Sequence, residues 1–231
     1  MGLVVGVGVV LALLVGGGTL VLLTENAGDG APAVLLDARF EQSTAPFPVG
    51  SSVGGHEYTF ERVDGTYRIS AGRDDPPVAA HAYGEFVHVT RNVDLTATVV
   101  GVDAEPGRPV ALGMSCARTD TSGAVEDGYM VVFRGDDVAI ARVNEPASAL
   151  AAGKAPRTLG ANTLIGFSCQ RRSIFGDEVE VTASIDGTTV LTAREDPGYR
   201  MQLTGMTLDV FGSRAGDAVR FDDVTARNPR G

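Results

Sequence analysis

Glu178-Val179-Glu180-Val181-Thr182-Ala183-Ser184-Ile185 alternates polar and apolar side chains, Asp186-Gly187 follows, and Thr188 to Ala193 resumes the pattern. Side chains of a strand point to opposite faces in turn, so this alternation describes a half-buried strand. Asp-Gly between two such runs marks a hairpin, because a type I′ turn needs positive φ at both central residues. Tyr58 to Val63 and Thr66 to Ala71 repeat the device around Asp64-Gly65.

Working outward, further strand-like runs lie at Val34 to Phe40, Phe86 to Thr90, Asp94 to Val102, Pro109 to Ala117, Gly128 to Arg134 and Val138 to Val143. Thr163 to Cys169, Gly205 to Phe211 and Ala218 to Ala226 complete the set. Roughly a dozen short strands separated by Gly, Pro and Asp turns cannot form one open sheet without long exposed edges. Two stacked antiparallel sheets are expected. Helical periodicity is nearly absent beyond residue 34, except at Ala147 to Ala152, where one helical turn is expected. The loose stretches Thr44 to His56, Arg73 to Ala82, Thr119 to Glu126 and Asn144 to Asn162 are candidate binding loops, since function concentrates on loops held by a rigid scaffold.

Ahead of this β region, Leu3 to Leu23 carries no charge and a single hydroxyl, Thr19. As a helix such a run reaches roughly 30 Å, the thickness of a bilayer's hydrocarbon core. An uncleaved transmembrane anchor is expected over residues 1–24, a linker over 25–33, a β domain over 34–228 and a tail over 229–231. A cleaved signal peptide is the alternative, with Ala31-Pro32-Ala33 as a small-residue site. No basic residue precedes Arg39, so nothing holds that flank inside, and the C-terminal domain is placed outside the cytoplasm at the cell membrane. Within the run, Gly8, Ala12 and Gly16 form a small-residue stripe on a helix.

A net charge of −10 makes nucleic acid a poor partner, because phosphate backbones are repelled. Cys116 and Cys169 each sit inside an apolar strand-like run, where a clip between neighbouring strands would lie. Outside the cell they can pair; otherwise they are two buried thiols acting as small hydrophobes. Their separation of 53 positions lacks the close spacing of zinc ligands.

Several segments stand in a telling order: Leu36-Asp37-Ala38-Arg39-Phe40, Asp64-Gly65-Thr66-Tyr67-Arg68-Ile69, Leu112 to Arg118, Asp127 to Phe133, Asn162-Thr163-Leu164, Asp186-Gly187 and Val219 to Val224. That order resembles the concanavalin A-like lectin/glucanase superfamily, in the laminin-G-like jelly-roll form of bacterial secreted and membrane-tethered proteins. The resemblance implies a two-sheet jelly-roll sandwich with first and last strands adjacent. It also implies a disulfide between Cys116 and Cys169 and a binding role toward sugars or proteins.

Glycosidases of this kind carry Glu-x-Asp-x-x-Glu along one strand; the nearest match here is Glu178-Val179-Glu180, with Ala183 in place of the third acid. The two glutamates are therefore read as the solvated face of a strand. No Gly-x-Ser-x-Gly elbow occurs, and Lys154 lacks the rest of a phosphate loop. His56, His81 and His88 are scattered and read as surface or satisfied residues. A structural calcium ion is one expectation, since Asp222-Asp223 closes the domain where Asp37 of the first strand can lie alongside, and hard cations want several carboxylate oxygens; the alternative is that one of the two aspartates forms a bulge or bonds to backbone while the other is exposed. With no Trp and 6% aromatics, sugar platforms are few: Tyr58, Tyr83 and Tyr199. The expected protein is a membrane-anchored, non-catalytic binding domain whose partner is a glycan or an envelope protein. A glycoside-processing enzyme and a purely structural envelope protein are the alternatives.

Overall fold

The computed structural model describes residues 33–41, 46–51, 58–72, 80–105, 107–119, 125–172, 176–199, 201–211 and 214–229. The expected anchor with its Gly8, Ala12 and Gly16, nearly all of the linker, and His56 lie outside the described residues. Among the described residues fifteen strands follow in chain order: β1 (Ala33–Ala38), β2 (Gly50–Ser51), β3 (Tyr58–Val63), β4 (Thr66–Ala71), β5 (Ala80–Thr90), β6 (Val93–Asp103), β7 (Ala111–Thr119) and β8 (Val125–Arg134). They continue with β9 (Asp137–Arg142), β10 (Glu145–Lys154), β11 (Thr163–Arg171), β12 (Val179–Ile185), β13 (Thr188–Glu195), β14 (Leu203–Phe211) and β15 (Ala218–Asn228).

The strands form two antiparallel sheets, as the alternating pattern requires. The nine-stranded sheet runs β13-β12-β11-β6-β15-β4-β3-β2, with β1 also on β15, and the six-stranded sheet runs β10-β9-β8-β7-β14-β5. The first and last strands are adjacent, from Ala33 opposite Asn228 to Ala38 opposite Val224. Both Asp-Gly pairs turn as expected, with φ of 52° at Asp64, 75° at Gly65, 49° at Asp186 and 76° at Gly187.

The apolar member of each alternation fills the space between the sheets. Leu95, Ile165, Phe167, Val181 and Phe221 come from one side, and Leu112, Met114, Tyr129, Phe133, Met206 and Leu208 from the other, all buried. At one end Phe40 stacks on Tyr67 with centroids 5.1 Å apart, and the Tyr67 hydroxyl donates to the Pro48 carbonyl at 2.7 Å. Gly84 of β5 lets Leu36 and Phe47 seat themselves there: a Cβ would come within 2.8 Å of Leu36 Cδ1 and 2.9 Å of Phe47 Cζ.

Cys116 and Cys169 are bonded to each other. Cys116 lies on β7 and Cys169 on β11, so the bond joins the two facing sheets through the core, where the sequence suggested a clip between neighbouring strands.

Two local differences have a common cause, the need of a sheet edge for backbone partners. Ala147 to Ala152 belongs to β10, with Ala151 opposite Ile140 and Ala152 opposite Ala139, and forms no helical turn. Six residues are too few for a stable helix, while the free edge of β9 supplies hydrogen bonds at once. Residues 80 to 82, expected as loop, are the start of β5, where Ala82 pairs with Leu208 and His81 with Asp209.

Candidate functional site

On β14, Met206, Leu208 and Val210 point into the core, so Thr207 and Asp209 point to the outer face of the six-stranded sheet. On β7 the core residues Met114 and Cys116 likewise send Ser115 outward. Register sets these residues side by side: Tyr83 opposite Thr207, Thr207 opposite Ser115, and Ser115 opposite Met130. One row along, His81 is opposite Asp209, and Asp209 opposite Gly113.

The side chains form a continuous chain of hydrogen bonds. His81 Nδ1 lies 2.7 Å from Asp209 Oδ1, Thr207 Oγ1 donates to Asp209 Oδ2 at 2.9 Å, and the Ser115 and Thr207 hydroxyls are 2.5 Å apart. Asp209 and Ser115 are 0% exposed and Thr207 is 1% exposed, whereas the His81 side chain is 41% exposed. An ionised carboxylate can only accept, so both its neighbours donate to it. Thr207 thus spends its proton on Asp209 and receives one from Ser115. His81 carries its proton on Nδ1 and leaves Nε2 free of this network. Burial pulls the His81 pKa down, but the hydrogen bond and charge of Asp209 outweigh it and hold the imidazole above its ordinary value. Phe211 meets the ring edge-on, with centroids 6.4 Å apart.

Tyr83 stands two residues from His81 on the same face. Its hydroxyl hydrogen-bonds the Thr119 hydroxyl at 3.2 Å and the Thr204 hydroxyl at 3.3 Å. The ring lies across Gly205, where a Cβ would meet two ring carbons and the hydroxyl oxygen of Tyr83, each at 2.4 Å. The row that carries Gly205 continues through Ala117 and Gly128, with no side chain larger than a methyl. Of the three tyrosines expected as platforms, Tyr83 is half-buried and pinned, Tyr199 is 39% exposed, and Tyr58 is a core residue at 3%.

The carboxylates singled out in the sequence are placed elsewhere. Glu180 accepts from Arg194 Nε at 2.7 Å and Arg172 at 3.3 Å on the outer face of the nine-stranded sheet, and Glu178 is exposed just ahead of β12. Asp222 and Asp223 stand where β15 changes partner from β4 to β1. There the register slips, Asp223 takes φ 46°, and Asp222 Oδ1 accepts the Asp223 N–H at 2.8 Å. Asp37 faces Thr225 in register and lies 3.8 Å from Arg39 Nε. Among the described residues no three His, Cys, Asp or Glu side chains converge as metal ligands.

Sequence reading passed over His81 and Asp209 as a pair because 128 positions separate them. One signal was available: an aspartate between Leu208 and Val210 in an apolar run. Asp is almost never buried unless paired.

No family model matches the chain, and no curated protein matches it. Solved structures do share its fold. A Bacillus subtilis protein of unknown function with a galectin-like fold superposes with a TM-score of 0.57 at 11% identity, covering 87% of this chain and 97% of that one. A β-1,3-1,4-glucanase (lichenase) derived from a mouse hindgut metagenome gives 0.55 at 12% identity, covering 84% of this chain and 98% of its own. The carbohydrate recognition domain of Emp46p, in its potassium-bound form, gives 0.54 at 8% identity, covering 78% and 88%. The chain thus shares the two-sheet antiparallel sandwich of these proteins, the architecture that the resemblance implied.

Proposed function

We propose that this chain is a non-catalytic carbohydrate-binding domain held at the outer side of a cell membrane by its apolar leader. Its ligand meets the outer face of the six-stranded sheet at His81 and Tyr83. The observation that carries this reading is the chain His81-Asp209-Thr207-Ser115, which fixes one half-exposed imidazole on rigid strands. Binding sites need donors and acceptors held in place before the ligand arrives, and a side chain locked from behind by a buried carboxylate meets that need. The Emp46p domain, a carbohydrate recognition domain on the same fold, supports the ligand class. The uncharged run Leu3 to Leu23 and the Cys116–Cys169 bond support the location, since disulfides persist in oxidising compartments.

Glycan-array binding by the full chain tests the reading, with His81→Ala and Tyr83→Ala as comparisons. Retention of at least one saccharide, weakened about tenfold or more in either variant, is expected, as for a lost contact worth about 1.4 kcal/mol. An empty array, or variants that bind like the parent, would refute it.

A second reading is favoured by the same pair. An imidazole backed by Asp at Nδ1 and partly exposed is the arrangement by which histidine acts as a general base, and the lichenase shows that the fold also carries an enzyme. Turnover of any polysaccharide in a panel, lost in Asp209→Asn and kept in Glu180→Gln, would establish catalysis at this site.

A further inference from the structure

The register gathers several strand ends at one end of the sandwich. Ala33 lies opposite Asn228, Asp94 opposite Arg227, Val93 opposite Cys169, and Thr90 opposite Leu203. The chain therefore enters the domain at the end where β5 turns into β6 and β14 begins.

That end exposes apolar side chains. Between Glu85, opposite Gly205, and Thr90, opposite Leu203, β5 has four residues where β14 has one, and the surplus bulges out of the ladder. There Val87 is 67% exposed and Val89 59%. Val34 of β1 is 49% exposed and stands opposite Arg227, itself exposed. β1 and β5 meet at the edge of the sandwich, where Leu36 packs over Gly84. Val34 and Val87 lie two and three residues from that contact, toward the same end. Arg91, directly after β5, lines a shallow depression with Met201 and the exposed ring of Tyr199.

Three valines and a tyrosine ring beside two guanidinium groups have the composition of a membrane-interface contact. Aliphatic side chains enter the boundary of headgroups and acyl chains, tyrosine sits at headgroup level, and arginine meets phosphate. What this end can touch is limited by the chain itself. Only nine residues, 24–32, separate Leu23, the last of the apolar run, from Ala33. Fully extended they reach at most roughly 35 Å, so a leader held in a bilayer keeps this end beside that bilayer at high effective concentration.

We infer that this end of the sandwich docks on the phospholipid surface that holds the leader, with Val34, Val87, Val89 and Tyr199 in the headgroup layer and Arg91 and Arg227 on lipid phosphates. The inference rests on the membrane attachment proposed above. His81, six residues before Val87 on β5, then stands up to about 20 Å further from the bilayer, clear of the headgroups.

The chain has no tryptophan, so a single introduced indole reports its own surroundings. Full-length Val89→Trp and Tyr199→Trp are reconstituted in phosphatidylcholine vesicles with or without bromine on the acyl chains; this lipid is neutral and does not repel a net charge of −10. Leu164→Trp is the comparison, an exposed position at the opposite end beside the Asp186 turn. Bromine is expected to quench the indole of either docking variant at least about twofold more than that of the comparison. Adding Val87→Asp to Val89→Trp is expected to bring quenching down to the comparison level. Flotation of the vesicles separates the two readings. A chain that does not float removes the membrane attachment and the inference with it. A chain that floats with equal quenching at both ends, or with quenching indifferent to Val87→Asp, overturns the inference alone. So does an indole that bromine leaves unquenched but that becomes shielded as protein concentration rises, which would assign the patch to a second copy of the chain.

Discussion

Asp209 is a buried charge whose cost is met by two donors, and that makes His81 a reporter of the site. A group whose folded pKa is raised adds stability that is fully present below its unfolded pKa and fades as pH rises through the folded value. Thermal melting as a function of pH is therefore expected to show stability declining above about pH 6.5, the ordinary histidine value, and His81→Gln to flatten that decline. In an NMR titration Asp209→Asn is expected to lower the His81 midpoint. A midpoint unmoved by that substitution would mean that the carboxylate does not hold the imidazole. Gly205 supplies a second test at this scale. Gly205→Ala drives a methyl into the Tyr83 ring, which two hydroxyl contacts hold in place. Urea unfolding is expected to show a loss of about 1–3 kcal/mol, the usual cost of overpacking. In Gly205→Ala/Tyr83→Ala, where the ring is gone, most of that loss should vanish.

Among the elements, β7 and β11 have a special relation because they face one another across the core and share the Cys116–Cys169 bond. A bond closing a loop of 53 residues stabilises by about 4 kcal/mol in the chain-entropy view. Replacing both cysteines by alanine is expected to lower the melting temperature by roughly 10 °C, measured by calorimetry without reductant. A change within a degree or two would show that hydrophobic packing alone holds the sheets. Strands were legible in the sequence wherever alternation was clean and a turn was marked, as on either side of Asp64-Gly65 and Asp186-Gly187, whose bounds the structure reproduces closely. They were least legible where pairing with a distant strand decides the matter. β10 is mostly small residues with no face to declare, and the start of β5 is set by β14, more than a hundred positions away. The bulge at Asp222-Asp223, one of the two readings of that pair, has its origin in the exchange of one neighbour of β15 for another.

For the whole molecule, the sequence dictates two layers because polar and apolar residues alternate in many short runs that must bury one face each. It does not dictate which outer face carries function. Tyr83 and His81 gain their standing only when Thr207, Asp209 and Ser115 are brought beside them from β14 and β7. The outer face of the nine-stranded sheet differs in kind. Its charges there are spent on one another, as in Arg68 with Glu61 and Arg194 with Glu180. On the six-stranded face the buried Asp209 is shared between Thr207 and the half-exposed His81. Membrane attachment adds a separate expectation, that the full chain sediments with membranes and is released by detergent. Recovery in the soluble fraction would remove the anchor while leaving the binding site in place. The central claim is tested most directly by mapping amide and side-chain NMR shifts of the full chain on titration with a saccharide that it retains. The largest changes are expected at His81, Tyr83, Thr119 and Thr204. Changes centred instead on Thr96, Thr182 and Glu180, on the opposite sheet, would contradict it.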